Sequence, residues 1–173
     1  MGMDVYGQNP CTDEGEYFRN NVWYWRPLWS YVCDTFPDLV GATPELGHYN
    51  DGYGLDADQA RKLGDAILEH IESGRTEEFR RQYYADLANL PRSECQWCEG
   101  TGVRRDKVGA EMGMPDKELS PEVQIFTGRT HGWCNACEGI GTIEHFAHNY
   151  PFEVDNVEEF AEFLRGCGGF TIC

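Results

Sequence analysis

CQWCEGTG, residues Cys95–Gly102, returns further along the chain as CNACEGIG, Cys134–Gly141, and both copies obey C-x-x-C-x-G-x-G. Two thiolates separated by two residues can reach one metal ion from a tight turn. A tetrahedral all-sulfur zinc site takes four such ligands at about 2.3 Å. Two turns set face to face complete the set, so Cys95, Cys98, Cys134 and Cys137 are the expected ligands of one zinc ion. With every position filled by protein, no place is left for water or substrate, and the site is structural rather than catalytic. Gly100 and Gly102, matched by Gly139 and Gly141, suit a backbone that bends through positive φ around a metal knuckle. They also let amides approach the sulfurs and hold thiolate charge. Strand-like residues follow each copy, Val103 on one side and Ile140, Thr142 and Ile143 on the other, so each half reads as a short hairpin. Reduced, metal-free thiols or a redox dithiol are the alternative, which the duplication with its matching glycines disfavours.

Over these sixteen residues the chain resembles the cysteine-rich zinc region of DnaJ-type chaperones. In that family four repeats make two zinc sites, each joining two repeats, so the resemblance implies one site here. It further implies a module of the kind used to grip other proteins. The sequence lacks the His-Pro-Asp tripeptide that marks the J domain, so co-chaperone activity is not implied.

Outward from the motifs, 173 residues suffice for one domain with a real core. The expected organisation is a single domain over 1–173 that carries the zinc-binding insertion at 92–143. Its class is expected to be α+β, mostly helical, with short strands and an inserted, zinc-clamped pair of hairpins. No run of eighteen apolar residues is present, so no membrane-spanning helix is expected. The stretch MGMDVYGQNP has neither the basic head nor the apolar segment of a secretion signal. Tyr6 stands where myristoylation needs Ser or Thr. A cytoplasmic location is therefore expected, and there eight cysteines point to metal rather than disulfides. Cys11, Cys33, Cys167 and Cys173 lie outside the repeats and receive no role.

The net charge is −16, with −8 in residues 1–60, −1 in 61–94, −2 in 95–143 and −5 in 144–173. Such a field repels phosphate backbones and disfavours direct nucleic-acid binding. The only basic patch of note is VRRDKV, with Arg104, Arg105 and Lys107.

Along the chain, MDVYG reads as a strand and NPCTDEGEYFRNN as an acidic loop. Pro27 marks the first turn of a helix that buries Leu28, Trp29, Val32 and Cys33 and ends at Pro37. Trp23, Trp25 and Trp29 are expected in the core, with an exposed aromatic platform as the alternative. ATPELGHYNDGYG is a turn-rich connector. Asp56 and Gln59 form a capping box for a helix stopped by Gly74, whose apolar face is Leu63, Ile67, Leu68 and Ile71. A second helix, capped by Thr76 and ended by Pro91, follows with Phe79, Tyr83, Leu87 and Leu90 as its stripe. Asp155 and Glu158 cap a last helix that ends at Gly166. GFTIC is a final strand and a candidate partner for MDVY, a pairing that sequence does not fix.

The segment Glu99–Trp133 between the cysteine pairs reads as an exposed excursion with binding residues among Arg104, Arg105, Lys107, Met112, Met114 and Trp133. His145 and His148 are three apart and form a candidate second metal half-site. His48, Asn50, Asp51 and Asp56 form a polar cluster that a catalytic loop would need, although turns and capping account for three of them. No phosphate-binding glycine loop, H-E-x-x-H or G-x-S-x-G occurs. The leading expectation is a zinc-binding adaptor whose partner is another protein. An acidic nucleic-acid mimic that inhibits a basic protein, or an enzyme built on His48–Asp56, stands as the alternative.

Overall fold

The structure, a computed structural model, describes residues 2–173. Its α+β architecture divides into two compact units, one running to Ala88 and resuming at Asn149–Cys173, the other Asn89–His148.

The first unit is a four-stranded antiparallel sheet with helices packed on one face. Strand β1 (Gly2–Gly7) alternates Met3 and Val5, both buried, with Asp4 and Tyr6 facing the other way. It pairs on one side with β2 (Tyr17–Asn21), in the register Val5↔Phe18 and Tyr6↔Tyr17. On the other side lies β6 (Phe170–Ile172), with Val5↔Ile172, so the GFTIC segment does pair with MDVY. The short β3 (Gly54–Leu55) completes the order β2-β1-β6-β3. β2 corrects the reading of NPCTDEGEYFRNN as loop throughout. Its period-two pattern, Phe18 and Asn20 inward between exposed neighbours, is short and follows three acidic residues that mask it.

Helix α1 (Val22–Thr35) starts a turn earlier than Pro27 suggests, because the Asn21 side chain accepts from the amides of Trp23 and Tyr24. Pro27 therefore lies inside the helix, where it can donate no hydrogen bond to the preceding turn. Trp25 and Trp29 are fully buried and stacked, with ring centroids 5.5 Å apart and 6° between planes. Their indole N–H groups donate to the carbonyls of Gly47 (2.8 Å) and Pro44 (2.7 Å), which pins the connector's 3-10 turn Pro44–His48 onto the helix. Trp23 is the exception among the three, 40 % exposed beside Tyr150.

Helix α2 (Ala57–Glu72) has the expected Asp56–Gln59 capping box. It packs against α6 (Val154–Gly166) through Ala60, Leu63, Gly64 and Ile67 on one side and Val157, Phe160, Ala161 and Leu164 on the other. Gly64 permits that approach, since a methyl there would stand 2.9 Å from the Ala161 carbonyl oxygen. Arg165 pairs with Asp65 at 3.0 Å along the same seam. Two capping expectations are corrected. In α3 (Arg75–Ala88) Thr76 lies within the helix, fully buried, and its hydroxyl bonds the Tyr31 hydroxyl at 2.9 Å. In α6 the cap position is Glu153, which makes no side-chain cap bond, and Asp155 sits in the first turn, where a carboxylate favours the helix dipole.

His70 lies against Phe36 (ring centroids 4.7 Å) and within 3.5 Å of the Tyr31 hydroxyl, and burial, then Arg75, holds its pKa below the ordinary histidine value. His48 is lowered for the same kind of reason, burial and then Arg26, and its Nδ1 is buried without a hydrogen-bond partner. Both groups bind protons more readily in the unfolded chain. Their contribution is thus complete above the unfolded value of about 6.5 and declines as pH falls below it. The melting temperature of the first unit is expected to fall between pH 7.5 and 5.5, with a shallower slope in His70→Gln; an identical slope in that variant would remove His70 from the account.

The second unit contains β4 (Ser93–Glu94), paired antiparallel with β5 (Thr142–Ile143), and two short helices, α4 (Lys107–Glu111) and α5 (Pro121–Thr127). No helix among the described residues is long and apolar enough to cross a membrane.

Candidate metal centre

The second unit's buried cluster consists of four cysteines, Cys95, Cys98, Cys134 and Cys137, with Ile143 packed against them. Their sulfur atoms all lie within 4.8 Å of one another. Cys95 Sγ stands 3.9 Å from Cys134 Sγ, and Cys98 Sγ 3.7 Å from Cys137 Sγ. A tetrahedron with metal–sulfur bonds of about 2.3 Å has edges of about 3.8 Å, so these thiols are arranged to hold a metal ion. They are too far apart to be disulfides.

Each half repeats the same backbone. The amide of Gly102 donates to Cys98 Sγ and that of Gly141 to Cys137 Sγ, both at 3.2 Å. Gly100 N bonds the Cys95 carbonyl and Gly139 N the Cys134 carbonyl, again both at 3.2 Å. Glu99 (φ 49°) and Glu138 (φ 51°) enter the left-handed region at matching positions and open the turn that the glycines continue. The second glycine of each motif abuts the first glycine of the other. A methyl on Gly102 would overlap the Gly139 carbonyl oxygen, and one on Gly141 would overlap that of Gly100. The motif's second glycine is therefore set by contact between the halves as much as by φ.

This interlock revises the expected hairpins. The strand before the first knuckle, β4, pairs with the strand after the second, β5, and Arg104 N bonds the Trp133 carbonyl at 2.9 Å. Each half is completed by the other, because the four cysteines sit where the two halves of the motif meet.

Burial sets the electrostatics. It raises the Cys98 thiol and pushes Cys137 up to about 12, against the amides of Gly102 and Gly141, which favour the thiolates. Cys98 and Cys137 therefore resist ionisation unless a cation compensates the charge, whereas at Cys95 burial is outweighed by the Trp97 amide and the neighbouring thiols, which lower its pKa. Gly102→Ala or Gly141→Ala displaces a donating amide and is expected to weaken metal affinity roughly 10–100-fold. Gly128→Ala, at a positive φ of 69° with open space around it, is expected to leave affinity unchanged in the same competition titration against a chelating dye.

The segment between the cysteine pairs is folded, not an open excursion. Trp133 N bonds Met114 O (2.8 Å), Gly132 N bonds Lys117 O (2.9 Å) and Leu119 N bonds Thr130 O (2.9 Å). Met114 is buried, so it is not a contact residue, while Met112 is exposed. Trp133 is half-buried with Lys117 Nζ 4.3 Å above its ring. Arg104 is tied to Asp106 and Asn135. Arg129, which carries no sequence signal, donates to the carbonyls of Gly132 and Gly139 and fastens the segment to the second knuckle.

The other candidates do not assemble. Among the described residues the four cysteines are the one group of three or more metal-ligating side chains that converge, so His145 and His148 lack a third ligand. Asp56 caps α2 and Asn50 donates to the Gly2 carbonyl. Asp51 lines a shallow cleft with Tyr53 and Leu46 that His48 does not line. Cys33 is half-buried with its thiol pushed up to about 11 by burial, and Cys167 is buried and raised for the same reason, so neither is an activated nucleophile. Cys11 and Cys173 are exposed.

No family model, no curated protein and no solved structure matches the chain.

Proposed function

We propose that the chain is a zinc-stabilised adaptor protein of the cytoplasm, in which Cys95, Cys98, Cys134 and Cys137 hold one structural zinc ion and the folded unit around it presents a surface to another protein. The observation that carries this reading is the closed four-sulfur cluster. All four ligand positions come from the chain, the sulfurs stand at tetrahedral spacing, and paired glycine amides support them. Tetrahedral sulfur sites suit zinc or iron. Zinc, which has no redox chemistry, fits a purely structural role. When bound, the ion supplies charge neutralisation and cross-linking, while the chain's own amides orient the sulfurs.

Protein binding is favoured over nucleic-acid binding by charge. The first unit carries eight basic and twenty-one acidic residues, and the second six and nine. An enzyme built on His48–Asp56 is less favoured, since His48 does not line the cleft that holds Asp51. Affinity co-purification of the tagged protein with and without nuclease tests the reading. A stoichiometric protein partner that survives nuclease is expected. Recovery of the protein alone at good yield would contradict it, and a nucleic-acid-processing partner would favour the acidic mimic.

A further inference from the structure

The duplication supplies an internal control. Two clefts flank the cysteines, one of about 310 Å³ beside Cys98 and one of about 400 Å³ beside Cys137. They are lined by equivalent positions of the two halves: Trp97 answers to Ala136, Thr101 to Ile140 and Arg105 to Glu144. Both halves serve the sulfurs with the same cysteines, glycines and amide bonds, so what differs between the clefts is not required by the metal.

The difference is in polarity and in satisfaction. In the second cleft Glu144 is paired with Arg92 at 3.3 Å, and Arg92 also donates to the Thr142 hydroxyl (2.9 Å) and carbonyl (3.1 Å), so its charges are consumed locally. In the first, Trp97 is 53 % exposed, an outlay of apolar surface that the equivalent Ala136 avoids. The Arg104 guanidinium lies 4.9 Å from the Trp97 ring centroid and is itself fixed by Asp106 and Asn135, so the indole is braced. Arg105 lines the same cleft and makes no ion pair or hydrogen bond among the described residues.

We infer that the cleft beside Cys98 is a docking site for an extended segment of another protein that carries an acidic side chain next to an apolar one. The carboxylate pairs with Arg105, whose planar fork suits it, and the apolar neighbour packs on Trp97, the kind of aromatic anchor that dominates interface energetics. Asp106 is already held by Arg104, so a peptide sets a single carboxylate against Arg105, whereas a phosphate backbone would bring a run of negative charges against Glu99 and the acidity of the whole chain. This inference rests on the protein-binding reading and specifies its surface.

The test is selection of a random heptapeptide phage library on the full-length, zinc-loaded protein, with the Trp97→Ala, Arg105→Glu double variant as counter-target and zinc content measured in both. The expected result is enrichment of sequences that join Asp or Glu to a large apolar residue. A synthetic peptide of the enriched sequence should bind each single variant at least tenfold more weakly and Ala136→Ser with unchanged affinity. Three results would overturn the proposal: no enrichment over the counter-target, enrichment of Lys- or Arg-rich sequences, or equal binding to the variants. Competition by a short oligonucleotide at the same cleft would overturn the choice of a peptide, and concentration-dependent self-association lost in Arg105→Glu would make the occupant a second copy. A co-purified partner whose binding survives both substitutions would remove the cleft while leaving the protein-binding function in place.

Discussion

Cys95→Ser or Cys134→Ser is expected to abolish metal binding and unfold the second unit. A serine hydroxyl is a poor ligand for a soft-metal site, and three remaining thiolates leave the coordination open. The effect is large because the unit's buried cluster is made of these four cysteines, joined by Ile143. Apparent zinc-binding free energies in small structural modules are about 10–16 kcal/mol, and in such modules binding energy is folding energy. The measurements are zinc content, expected to fall below a tenth of an ion per chain, and amide hydrogen exchange across Asn89–His148, expected to lose its protection. The first unit has its own core, so its exchange is expected to persist. Retention of zinc in both variants would contradict the four-sulfur assignment.

Trp29→Ala is expected to cost the first unit about 3–5 kcal/mol, the usual toll for deleting a fully buried large aromatic. Trp29 is inaccessible to solvent, stacks on Trp25, meets Tyr53 edge-on at 5.3 Å and holds the Pro44 carbonyl through its indole N–H. Alanine loses all three contacts and frees the 3-10 turn. For a unit of this size the melting temperature, followed by far-ultraviolet circular dichroism, is expected to fall by at least about 12 °C. Trp23→Ala, at a 40 % exposed position in the same helix, is expected to change stability by less than about 1.5 kcal/mol. Equal losses at both positions would mean that the stacked pair is not the centre of this core.

These two sites also mark how far sequence alone reaches. The four cysteines were legible because metal ligation demands a residue type at a fixed spacing, and helix α2 because its capping box, apolar face and glycine stop agree with one another. Strand β2 was hidden because three acidic residues precede a five-residue alternation. The start of α1 is not legible because a proline usually opens a helix, whereas here Asn21 caps it and Pro27 is tolerated inside. Thr76 has the chemistry of a cap, yet tertiary packing recruits its hydroxyl to Tyr31. In the second unit the motif marks the four clustered cysteines but not the interlock. That Gly102 faces Gly139 and Gly141 faces Gly100 is a contact between halves, and no local pattern encodes it. The fold of the segment between the cysteine pairs depends on Arg129 and on bonds such as Trp133 to Met114, which join residues whose types are unremarkable in sequence.

The most direct test of the central claim is the metal content of the purified full-length protein, by native mass spectrometry with elemental analysis on the same sample. One zinc ion per chain is predicted, with all four of Cys95, Cys98, Cys134 and Cys137 protected from alkylation until a chelator is added. A metal-free protein whose four thiols alkylate freely in the folded state, or one iron per chain in place of zinc, would contradict it.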